Sequence, residues 1–161
     1  MTKSLKITDS KALELYKTAS IELKEILEET FGLDFFKPKD ITETVYNLDT
    51  LAEHLEMDTD DLYLYKKPKN AFEKYLNACV IIPKIVEVYN QGTILDWNNK
   101  NEYKYLPYFR KIGSGWVAVY AYSWCSGAHG PIAHHYKSNK LALEGVNNFN
   151  QIYLDYFTYK G

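Results

Sequence analysis

Residues 116–136, WVAVYAYSWCSGAHGPIAHHY, constrain the fold of this chain most. They alternate as a half-buried strand, break at Ser126-Gly-Ala-His-Gly-Pro131, and resume as a second short extended run over residues 132–137. Upstream, residues 103–112 also read as extended, and Pro107 restricts them to an edge or bulged strand. Gly113-Ser114-Gly115 is a hairpin turn signal between the two. Ser138 then caps a C-terminal helix from Asn139 to about Phe157, whose inward stripe is Leu141, Gly145, Phe149, Ile152 and Tyr156. The second half therefore predicts a three-stranded antiparallel meander closed by one helix.

The first half is helical. Ala12, Leu15, Tyr16 and Ala19 fall at helical spacing, and Ser20 opens a second pattern that ends at Gly32. The pair reads as a helical hairpin, or as one helix broken near residues 18–20. Asp40 and Asp49 cap two short segments, and Asp58, Asp60 and Asp61 serve the same purpose for a third. The fixed Gly and Glu of a calcium loop are missing around those last acids. Residues 71–90 carry the longest apolar pattern, expected as a mostly buried central helix with a kink or break at Pro83 and a cap at Gly92. The expectation is a single α+β domain over residues 1–161, with N-terminal helices packed on the meander.

Composition narrows the function. Residues 1–80 hold 16 acids and 11 bases, whereas residues 81–161 hold 5 acids and 8 bases. The aromatics shift the same way, from 9 to 16, and Tyr dominates them. Arg110 is the sole arginine, so strong nucleic-acid binding is not expected. The longest apolar run, residues 78–83, is too short to span a membrane, and no N-terminal signal peptide is expected. Cys79 and Cys125 have no metal spacing, which fits a reducing compartment.

The 116–136 stretch holds two of the three Trp, three of the four His and one of the two Cys, and is the candidate site. Strict alternation places Trp116, Ala118, Tyr120, Tyr122 and Trp124 on one face, and Val117, Val119, Ala121 and Ser123 on the other. The smaller face suits the C-terminal helix. The aromatic face either meets the N-terminal helices or forms an open platform beside Arg110. Cys125, His129, His134 and His135 are zinc-ligand types, but adjacent histidines on a strand point to opposite faces, so no metal is assigned. Cys125 with His129 or His135, or His135 with Asp155 or Glu144, can be drawn as catalytic pairs. No framing motif supports either, and no catalytic residue or cofactor is assigned. The ligand- or partner-binding set is Trp116, Tyr120, Tyr122, Trp124, His129, His135 and Arg110.

Several stretches together resemble small proteins encoded by phages and prophages of Bacteroides-type bacteria, including crAss-like phages. They are SLKITDSKALELY, PKDITETVYNLDTLAEHLEM, the helix with its Ile81-Ile82 pair, ILDWNNKNEYKYLPYF and YKSNKLALEGVNNFNQIYLDYF. Members often carry a Val-Gly-Ser-Arg-Leu turn before the last helix. Here GAHGPIAHHYKS stands in its place without an Arg, so no role transfers from it. The resemblance implies a phage context, a compact α+β fold and no enzymatic activity. The functional expectation is a non-enzymatic accessory protein acting through protein contacts or self-association, in the virion or the host cytoplasm. The alternative is a protein that sequesters a small nucleotide.

Overall fold

The computed structural model describes residues 7–36, 40–125 and 131–160. The chain divides into two compact units, residues 1–39 and 40–161. In the first, helices α1 (Asp9–Thr18) and α2 (Ile21–Phe31) are separated at residues 19–20, as the patterning predicts. Ser20 Oγ accepts from the Leu23 N–H, supplying a partner for a donor the first turn leaves open. Past Gly32, a 3₁₀ turn at Leu33–Phe36 stacks Phe36 on Tyr16 and Phe35 on Phe31, with ring centroids 4.1 and 5.1 Å apart. The two phenylalanines thereby close this unit on itself.

The second unit is built around α5 (Ala71–Asn90), preceded by α3 (Ile41–Thr44) and α4 (Leu48–His54). Asp40 caps α3 as expected, but Asn47, not Asp49, caps α4. Asn47 and Thr50 satisfy each other's backbone N–H groups in a capping box, which starts the helix two residues earlier. Helix α5 runs through Pro83 without a break. The proline removes one backbone donor, while Ile81, Ile82, Ile85, Val86 and Tyr89 keep the surrounding turns packed. Leu51, Leu62, Phe109, Val146, Phe149 and Tyr153 complete the core around it.

Strands β1 (Lys104–Ile112) and β2 (Gly115–Trp124) form an antiparallel hairpin closed by Gly113-Ser114, with Gly113 at φ 60° as a tight hairpin turn requires. The expected third strand is not there. Residues 132–137 instead form a 3₁₀ turn (Ile132–His134) followed by a single bridge between Tyr136 and Tyr105. The reason lies in burial. His134, His135 and Tyr136 are buried in succession, which a strand with one face on a core cannot achieve. The sheet among the described residues is therefore two-stranded.

The expected C-terminal helix is likewise two helices, α6 (Asn139–Asn148) and α7 (Asn150–Phe157), divided at Phe149, whose backbone leaves the helical region. Ser138 caps α6 as predicted. The hairpin packs chiefly on α6, while α7 lies along α5. Gly145 of α6 is where the close approach is made. A Cβ there would sit 2.9 Å from Cζ of the fully buried Tyr136, and closer still to its hydroxyl, which is hydrogen-bonded to that of Tyr153. Gly145→Ala is expected to lose about 2 kcal/mol despite the better helix propensity of Ala. Calorimetry should show a Tm lower by roughly 4–8 °C, partly restored in a Tyr136→Phe background.

Candidate binding surface

The hairpin presents its side chains through a register that sequence alternation does not show. Tyr108 pairs with Tyr120 and Phe109 with Ala118, leaving one extra residue in β2 at a bulge. Positions 116 and 118 are therefore out of phase with 120, 122 and 124, and the continuous aromatic row expected from strict alternation is interrupted. The packing shows the same shift. Ala118 and Ala121, three residues apart, both pack on the core, beside Tyr105 and Phe109 of β1. Val117, expected against the C-terminal helix, is 47% exposed.

Of the predicted binding residues, Arg110 stands opposite Val117 and Trp116 opposite Lys111, near the hairpin turn. Arg110, Lys111, Tyr108, Ile112, Trp116 and Val117 are all exposed. Tyr120, Tyr122 and Trp124 occupy the backbone register opposite Tyr108, Leu106 and Lys104. His129 lies outside the described residues. His135 is elsewhere, beside the Tyr105 end of β1, so it does not share a site with Trp116 and Arg110.

The adjacent histidines are not on a strand, and each packs on a different aromatic ring. His134 packs edge-to-face on Tyr156, with centroids 4.9 Å apart. His135 packs edge-to-face on Trp97 at the same separation, and its Nδ1 lies 3.0 Å from the Pro131 carbonyl oxygen. Burial, with a smaller contribution from His135, pushes His134 down to about 4 from the ordinary 6.5. The folded state thus holds this ring neutral. Its contribution is intact above pH 6.5 and is lost as the pH falls from 6.5 towards 4, because there the unfolded chain binds the proton first. The expected loss is about 2–3 kcal/mol. Urea unfolding of wild type and His134→Phe at pH 7 and pH 4.5 checks it, the variant showing the shallower pH dependence.

A groove of about 440 Å³ opens between the end of α5, residues 92–97 and the 3₁₀ turn. Glu87, Asn90, Ile94, Trp97, Ile132 and His135 line it, and Ile94 is 93% exposed. Asp155, drawn in sequence as a partner of His135, lines a different groove with Asn47 and Tyr63. Among the described residues, no group of three or more His, Cys, Asp or Glu could hold a metal ion. No helix among them is long and apolar enough to cross a membrane.

Two polar residues outside the predicted binding set hold this region in shape. Lys104 opens β1 with its side chain fully buried, and its ammonium donates to the carbonyl oxygens of Asp96, Asn99, Glu102 and Cys125. The Asn99, Glu102 and Cys125 bonds are 3.2, 2.7 and 3.1 Å. One cation thus ties the 96–102 loop to the end of β2. Asn90, at the last turn of α5, donates from Nδ2 to the His135 carbonyl at 3.0 Å and accepts the Lys137 N–H on Oδ1 at 2.8 Å. Its amide therefore takes the place a strand would have taken beside residues 135–137. Lys137 returns its ammonium to the Asn90 carbonyl at 2.9 Å, a favourable charge at a helix C-terminus. A buried Lys and a buried Asn at the ends of elements carry no special spacing in the sequence. No protein-family model, curated protein or solved structure matches the chain.

Proposed function

We propose that the chain is a phage-encoded, non-enzymatic binding protein that acts through protein–protein contacts, in the virion or against a host factor, with the β1–β2 hairpin as its contact surface. One observation supports this most. Towards the hairpin turn, Tyr108, Ile112, Trp116 and Val117 are 42, 56, 36 and 47% exposed, with Arg110 and Lys111 exposed among them. Large apolar and aromatic side chains beside an arginine are the composition of interface hot spots, and a paired hairpin holds them with little left to order on binding. The phage context rests on the resemblance of the sequence stretches quoted above.

Site-specific photo-cross-linking in cells producing the protein tests the reading. A benzophenone side chain at residue 112 or 117 should capture one defined protein. The same group at Leu64, 59% exposed but remote in the chain, should not. Identical capture from all three positions, or none from residues 112 and 117, would overturn it. The nucleotide alternative is measured on the purified protein. Saturation at 100 times Kd adds about 2.7 kcal/mol, so a nucleotide raising Tm by roughly 5–10 °C would replace the contact reading.

A further inference from the structure

β2 has one edge that pairs with no described residue. Which main-chain groups face that edge follows from β1. Tyr105 exchanges both its hydrogen bonds with Tyr136, outside the hairpin. In an antiparallel ladder its opposite number, Ser123, then turns its own N–H and C=O away from β1. Pro107, with no N–H to give, stands two residues on in the same phase, opposite Ala121. Beyond the bulge, Ala118 opposite Phe109 and Trp116 opposite Lys111 continue the series, and Ile112–Gly115 closes the turn as a bonded pair. The outward groups of β2 therefore lie at 116, 118, 121 and 123.

That spacing selects the occupant. A regular strand offers bonding groups at every second residue, so it can match 116 and 118, or 121 and 123, but the extra residue puts the two pairs out of step. A second β2, run antiparallel about a two-fold axis between residues 119 and 120, carries the same irregularity at the same place. Trp116 of one copy then meets Ser123 of the other, Ala118 meets Ala121, and all four outward residues are satisfied on both sides, with about eight main-chain hydrogen bonds. The composition agrees. β2 contains no charged residue and no proline in its ten residues, whereas β1 carries Lys104, Pro107, Arg110 and Lys111. Charges and prolines are what keep edge strands single.

We propose that the free edge of β2 pairs with the β2 of a second copy of this chain, giving a continuous four-stranded antiparallel sheet across a two-fold axis. This goes beyond the contact reading above, since it uses main-chain groups on the edge and not side chains near the turn. Light scattering on the purified chain from micromolar to submillimolar concentration should give twice the 18.8 kDa monomer mass. Hydrogen exchange should show the amides of residues 116, 118, 121 and 123 protected. Ser123→Pro removes an outward N–H and should yield a folded monomer. Ser123→Lys keeps that N–H but sets a charge against Trp116 of the other copy, and should weaken dimerisation at least tenfold. A monomer at every concentration, or a dimer in which those four amides exchange freely, overturns the proposal. Cross-links from residues 112 and 117 to a foreign protein are unaffected by either result, so the two readings fail separately.

Discussion

Replacing Lys104 by Met is expected to be among the most damaging changes in this protein, lowering stability by about 3–5 kcal/mol. The side chain is fully buried, and four carbonyl oxygens converge on its ammonium. Met fills much of the volume of the stem but gives those oxygens no donor, and each buried carbonyl left alone carries its own desolvation cost. Arg should not rescue the site, because a planar fork does not match carbonyls arranged around a compact cation. Two measurements check this. The urea midpoint should fall without a change in m, and trypsin should cut at the exposed Lys100 much faster in the variant. An unchanged midpoint with unchanged cleavage would show that the loop holds its shape without the cation.

Asn90→Ala is the second large effect, expected at about 3 kcal/mol. The side chain is 5% exposed, and its loss strands the His135 carbonyl and the Lys137 N–H together. Asn90→Asp should do little better, since a carboxylate accepts from Lys137 but repels the carbonyl it would have to face. Because the same segment lines the groove with Trp97 and His135, Trp fluorescence should shift along with stability. A shift in neither would show that residues 135–137 are held by the Tyr105–Tyr136 bridge alone.

These two residues also mark where sequence reasoning runs out. Nothing in the sequence sets Lys104 apart from the other bases, because its partners are main-chain carbonyls, which every residue carries and no pattern reveals. Nothing sets Asn90 apart from any other polar residue at a helix end, for the same reason. The bulge in β2 was equally invisible: one added residue leaves the composition of a strand unchanged while reversing its faces, so the predicted aromatic row joined positions that the backbone separates. What could be read came from local chemistry. The Gly113 turn, the Ser20, Asp40 and Ser138 caps and the helix over residues 71–90 depend on neighbours within a few positions. The third strand failed for the opposite reason. Its residues look extended, but the chain leaves a 3₁₀ turn with His134, His135 and Tyr136 buried in succession, where a strand would bury alternate ones.

Helix α5 carries a second asparagine used in the same way. Asn77 accepts the Tyr65 N–H on Oδ1 at 2.7 Å and donates to the Tyr65 carbonyl at 2.8 Å, so the amides of residues 77 and 90 each dock a different remote segment. At 1.5 Å per residue the two lie about 20 Å apart along the axis. Apolar packing alone would let a helix slide or turn in its bed at modest cost. Two polar pegs at a fixed separation turn the helix into a ruler. Deleting a single residue between them would shorten the gauge and rotate one peg by about 100° relative to the other, so neither setting could satisfy both segments.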